Sequence, residues 1–158
     1  MSNTLGHTYL AIVLVFWSVA SFAGDKAPVK VEIIGETTLS KDEIYKSTLL
    51  WMAESFRSSE KVIDLKDQDI GVIVGNGSVD VKIGWGVYAP ALFKLKIDIK
   101  ESRYRLTFKD VRIDFDGNVK PIESANRKSL EPKVTKSFQD IAASLNKYLS
   151  EVKSNDDW

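Results

Sequence analysis

The sequence predicts an α+β domain in which two amphipathic helices cover one face of an antiparallel sheet. Three observations carry that prediction: a helix start specified twice over at Leu39 to Ile44, strict alternation of apolar and charged residues from Phe93 to Phe108, and an apolar repeat every three or four positions from Val134 to Val152. One-sided strands and one-sided helices bury their apolar faces against each other. The order strand, helix, four or five antiparallel strands, helix does so as two layers, with the second face of the sheet open to solvent.

The first strand is Lys30 to Ile34, and Gly35 to Thr38 turns the chain into the first helix. Ser40 is the N-cap, Glu43 reaches back to the cap's backbone N–H, and Leu39 and Ile44 form a hydrophobic staple. At 100° per residue, Ile44, Tyr45, Thr48, Leu49, Trp51, Met52 and Phe56 share a broad face. Lys46, Ser47, Glu54 and Arg57 fall on the other, and Leu50 is a lone apolar residue there. Val62 to Leu65 and Ile70 to Gly75 read as a hairpin turning at Lys66 to Asp69. Gly71, Gly75 and Gly77 share a parity with Ile73, leaving one strand face bare enough for the Trp51 or Phe56 side of the helix to approach.

Val79 to Ile83 is a further extended piece, and Gly84 to Pro90 is a loop bearing Trp85 and Tyr88. In the alternating stretch, a two-residue turn at Glu101-Ser102 sets Ile99 opposite Tyr104, Ile97 opposite Leu106 and Leu95 opposite Phe108, so both apolar sets share a face. The parity then slips, because Val111, Ile113 and Phe115 continue on odd positions; one extra residue near Lys109-Asp110 is a β-bulge. Lys120 to Pro132 is polar and reads as a long loop, with Pro132 at the first position of the second helix.

Length and composition suit one domain, and twenty-two basic residues balance twenty-two acidic ones, so no net field points to nucleic acid. Leu10 to Ala20 is an apolar run, followed by small residues at Ser21 and Ala23. That pattern predicts a signal peptide over 1–23, a single domain over 24–153, a short acidic tail over 154–158, and a secreted or periplasmic location. The run is short for a spanning helix, but no Lys or Arg precedes Leu10, so a retained N-terminal anchor stands as the alternative. There is no cysteine, and the one histidine, His7, lies inside the expected signal. The exported domain is then without the groups that Ser-His-Asp and Cys-His catalysis, thiolate zinc sites and histidine haem ligation require, and no cofactor or metal signature is present.

The polar side of the central hairpin carries Lys94, Lys96, Lys100, Arg103, Arg105 and Lys109 against Asp98 alone, with Lys100 facing Arg103 and Lys94 facing Lys109. Like charges set opposite one another cost stability unless an anion lies over them. The face reads either as a site for an anionic partner (lipid head groups, an acidic glycan, an acidic protein) or as a solvated surface whose lysines discourage edge pairing. Trp85 and Tyr88 either line a ligand groove or cover one end of the core. Asp64, Asp67 and Asp69, and Asp114, Asp116 and Asn118, lack the sixth-position glycine and closing glutamate of a calcium loop and read as turn residues. Gly71 to Gly77 lacks the lysine ending of a phosphate loop. Ser58 with Lys61 and Ser150 with Lys153 match S-x-x-K without the companion motifs of serine–lysine acyltransfer.

Ser40-Lys41-Asp42-Glu43-Ile44-Tyr45 with Trp51-Met52-Ala53-Glu54-Ser55-Phe56, then Gly71 to Gly77, then Tyr104-Arg105-Leu106-Thr107-Phe108, resemble the secreted bacterial domain of unknown function that has a TBP-like fold. The similarity runs from about Val31 to Phe115. It implies the order β-α-β-β-β-β-α and an envelope or secreted location, and it implies no activity and no site residues. The function expected is a non-enzymatic binding domain for a protein, a glycan or an anionic envelope component, with contact to a membrane surface but no span after cleavage and no nucleic acid. The alternatives are an envelope hydrolase working through carboxylates or a Ser–Lys pair, and a structural or assembly subunit.

Overall fold

The computed structural model describes residues 27–56, 63–125 and 127–152. The expected signal segment, the acidic tail and the Ser58–Lys61 pair lie outside them, as does Lys153. The elements are β1 (Val31–Glu36), α1 (Lys41–Ser55), β2 (Ile63–Asp67), β3 (Val72–Lys82), β4 (Tyr88–Lys100), β5 (Arg103–Phe115), β6 (Asn118–Pro121) and α2 (Arg127–Val152). The strands form one antiparallel sheet in the order β1-β5-β4-β3-β2, and β6 pairs with β5 on the side that β1 also occupies.

The α1 start is as read: the Ser40 backbone N–H donates to Glu43 Oε2 at 2.7 Å, and the Glu43 N–H donates to Ser40 Oγ at 3.4 Å. Leu39 and Ile44 are both buried. Ser47 is buried rather than on the open side of α1, while Leu50 is exposed as expected.

In the β4–β5 hairpin, Ser102 takes φ +56° in the turn, and the pairs Ile99–Tyr104, Ile97–Leu106 and Leu95–Phe108 hold. The register shifts by one residue between Leu92–Arg112 and Lys94–Lys109, with Asp110 at φ +55°. That bulge returns Val111 and Ile113 to the buried face.

Both helices lie on that face. The Phe138 ring of α2 stacks on Phe108 at 4.2 Å and meets Phe93 edge-on at 4.9 Å, and Trp51 Nε1 donates to Ser144 Oγ at 3.1 Å, tying α1 to α2. Gly77 makes room for this layer: a Cβ there would run into the Phe93 ring and approach Phe56 to 3.2 Å. Gly71 does not belong to the bare strand face; it sits in the β2–β3 turn at φ +77°.

Two expectations fail between β5 and α2. The first two residues of the expected loop, Lys120 and Pro121, belong to β6, and α2 begins at Arg127, so Pro132 is inside the helix rather than at its first position. The proline ring is tolerated because it sits on an exposed face near the helix start, flanked by buried Leu130 and Val134, while Arg127 Nε bonds Glu131 Oε2 at 2.7 Å one turn apart. Five strands therefore separate the helices, the larger of the two numbers the sequence predicts and one more than the order the resemblance implies.

β1 closes against β5 by packing the Tyr104 ring over Gly35, where a side chain would collide with it. Gly35→Ala is expected to destabilise the domain by about 1–3 kcal/mol through this overlap. In a Tyr104→Leu background the increment should shrink towards zero; a double-mutant cycle by urea unfolding measures it, and full additivity would refute the contact.

Candidate functional site

The helix-free face of the sheet is laid out by register. One row across the strands reads Asp67, Val72, Asp98, Arg105, Ile34; the next reads Leu65, Val74, Lys96, Thr107, Glu32; at the hairpin end Lys100 and Arg103 are followed by Glu36. Cations concentrate on β4 and β5, and the flanking strands supply acids: Glu32 and Glu36 on β1, Asp64 and Asp67 on β2. The face is therefore a basic stripe between acidic borders. The hairpin's sequence shows its own charges but not those of the strands that come to lie beside it.

The six predicted cations divide into two groups. Asp98 holds two of them, with Lys96 Nζ at 2.6 Å from Oδ1 and Arg105 Nη2 at 3.1 Å from Oδ2. Lys94 Nζ stands 3.9 Å from Asp64 Oδ2, which also accepts from Asn76 Nδ2 at 2.8 Å. Lys100, Arg103 and Lys109 have no ion-pair partner among the described residues. Neither has Arg112, which the bulge rotates onto this face; the parity slip at Lys109-Asp110 is the sequence signal for it, because the slip moves the polar positions beyond it as well as the apolar ones.

Two depressions adjoin three of these cations, Lys100, Arg103 and Arg112. One, of about 240 Å³, lies at the β4–β5 turn and is lined by Ile34, Asp98, Lys100, Arg103, Tyr104 and Arg105. The other, of about 450 Å³, lies over the bulge, with Lys94, Asp110, Arg112 and Glu123 at its wall. Glu123 Oε1 accepts the Val29 N–H at 2.6 Å and so anchors the chain entering β1. Burial pushes the Tyr104 phenol up to about 12; its O–H, 3.4 Å from Asn146 Oδ1, stays protonated near neutral pH.

Trp85 and Tyr88 are at the opposite end of β4 from Lys100 and are not brought together with the cations. Neither covers the core. Val81 and Ala89 are the last buried residues of their strands, and the turn beyond them carries a fully exposed Trp85 and a Tyr88 that is 62% exposed. The acidic triplets do turn work: Asp67 Oδ1 accepts the Ile70 N–H at 2.9 Å, and Asp114 Oδ1 accepts the Gly117 N–H at 2.7 Å. Ser150 Oγ donates to the Lys147 carbonyl oxygen at 2.6 Å.

Burial acts to raise the Asp98 carboxyl, but the hydrogen bonds from Lys96 and Arg105 and their charges outweigh it, so the group sits below its ordinary range. A depressed carboxylate stabilises the fold above its unfolded pKa of about 3.9, and that contribution is lost as pH falls through the lower folded value. Asp98→Asn should therefore lower stability by up to about 1 kcal/mol at neutral pH, and the gap from wild type should close below about pH 4. Urea unfolding across pH measures this; a constant gap would show that Asp98 is not held ionised by its neighbours.

The sequence pattern of the domain of unknown function DUF4468 with TBP-like fold matches residues 32–114. No curated protein sequence matches the chain. Among solved structures, a TBP-like protein from Parabacteroides distasonis superposes with a TM-score of 0.67 at 15% identity, over 81% of this chain and 97% of that one. A DUF4468 family protein from Bacteroides ovatus superposes with a TM-score of 0.63 at 13% identity, over 77% of this chain and 86% of that one. These structures share the fold, and the family match extends over half of the chain: it belongs to the DUF4468 family of domains of unknown function with a TBP-like fold.

Proposed function

We propose that this chain is an exported, non-enzymatic binding domain whose open sheet face takes an extended polyanion. The observation that carries the reading is the set of four cations on that face without an ion-pair partner among the described residues: Lys100 and Arg103 at one end, Lys109 and Arg112 at the bulge. At about 3.3 Å per residue, Arg103 and Arg112 are about 30 Å apart along β5. A small anion reaches one end only, while a linear acidic polymer spans both.

Lys100 opposite Arg103 and Lys94 opposite Lys109 are like-charge pairs whose cost a bound anion relieves. The acidic borders on β1 and β2 confine such a ligand to the central stripe and oppose a broad duplex of nucleic acid. Hydrolysis is less favoured as a reading, because Asp98 is engaged by two cations and Asp67 and Asp114 are spent on turns. Export rests on the apolar run Leu10 to Ala20 and the small residues after it.

Retention on dextran sulfate at low salt tests the binding. Replacing Lys100, Arg103, Lys109 and Arg112 with Gln should abolish it, whereas replacing Lys46, Lys128, Lys136 and Lys147, an equal change of charge elsewhere, should weaken it far less. Equal losses from the two sets would refute the site.

A further inference from the structure

We propose that the β3–β4 turn is a membrane-contact tip, at which Trp85, Val87 and Tyr88 enter the interfacial layer of a lipid bilayer. This stands apart from the anionic reading of the sheet face and uses the other end of β4. Among the described residues, the other exposed large apolar side chains, Leu50, Leu65, Ile70 and Val119, are spread over different elements, whereas these three fall within four consecutive residues. Clustered apolar exposure of this kind marks a contact surface.

The turn is shaped to enter a fluid layer. Its backbone closes on itself, the Ile83 and Gly84 N–H groups donating to the Val87 carbonyl oxygen at 2.9 and 3.4 Å, which reduces the cost of taking the turn out of water. A Cβ at Gly84 or Gly86 would meet nothing within 4 Å, so there is no wall beside Trp85 against which a sugar or peptide is held. Tryptophan and tyrosine are the side chains that settle at head-group level, with an apolar ring inward and a polar edge outward. Lys82 pairs directly with Tyr88, and Lys133 Nζ donates to the Lys82 carbonyl oxygen at 2.7 Å. The Lys133 ammonium thus stands at the root of the tip, and the register sets a second lysine, Lys82, at the same level, where lipid phosphates would lie.

Phosphatidylcholine vesicles with brominated acyl chains, with and without phosphatidylglycerol, test the proposal on the whole protein. The part of the tryptophan emission that Trp85→Phe lacks should be quenched by the brominated lipid, on neutral vesicles as well as acidic ones. Trp85→Ser with Tyr88→Ser should lower partitioning about tenfold while leaving the urea midpoint unchanged, because both side chains are exposed. Unquenched Trp85 emission overturns the proposal, including the case in which the tip variant instead loses capture of a protein partner. Loss of neutral-vesicle binding on replacing Lys100, Arg103, Lys109 and Arg112 also overturns it, by assigning the contact to the sheet face. If dextran sulfate retention fails while the quenching persists, the tip stands and the polyanion reading falls.

Discussion

The register between β4 and β5 is the constraint from which the rest of the molecule follows. A two-residue turn sets it at one end and a single inserted residue at Asp110 resets it further along. Without the insertion, Val111 and Ile113 would point to solvent and Arg112 into the helix layer, an arrangement that costs buried apolar area and buries a guanidinium without a partner. The bulge thus preserves one continuous core and, as a by-product, decides which cations meet solvent together. Phe93, opposite the bulge, is also the ring that meets both Phe108 and Phe138. The irregular point of the hairpin and the centre of the aromatic core are the same place.

The charge pattern of the open face has two origins. Ion pairs within and next to the hairpin, Asp98 with Lys96 and Arg105 and Asp64 with Lys94, are half-exposed contacts of modest individual worth. Their larger effect is selective: they remove three cations from the reckoning and leave four. A partner therefore meets a surface whose total charge is small but whose cations without an ion-pair partner among the described residues sit in two groups, at the β4–β5 turn and at the bulge. Net charge, which is zero for the whole chain, says nothing about that arrangement.

What could be read from the sequence was local. The Ser40 cap, the staple, the hairpin register and the bulge involve residues near one another in the chain, and each left a pattern of spacing or parity. β6 left none, because its four residues are all exposed and carry no alternation, and Pro121 and Pro132 argued for a loop across both. The start of α2 was masked by Pro132, whose lost hydrogen bond is offset by burial of Leu130 and Val134, a tertiary effect. At the site, the hairpin cations were legible and their neutralisation was not, since Asp64 reaches Lys94 only through the pairing of three strands. Exposure of Trp85 was equally illegible: a tryptophan between two glycines has the same sequence whether it folds inward or outward.

The placement of β1 has a consequence for how the chain assembles. Residue 31 finds its partner at residue 108, the longest span of any strand pairing here, while β2 to β6 pair with neighbours in the chain. A polypeptide that appears from its amino end, whether at a ribosome or at a translocation pore, exposes β1 and α1 long before there is a sheet to receive them. Closing so large a loop is the slow, entropically costly step. The central meander is thus equipped to form as a unit, with the first strand and the first helix docking onto it afterwards.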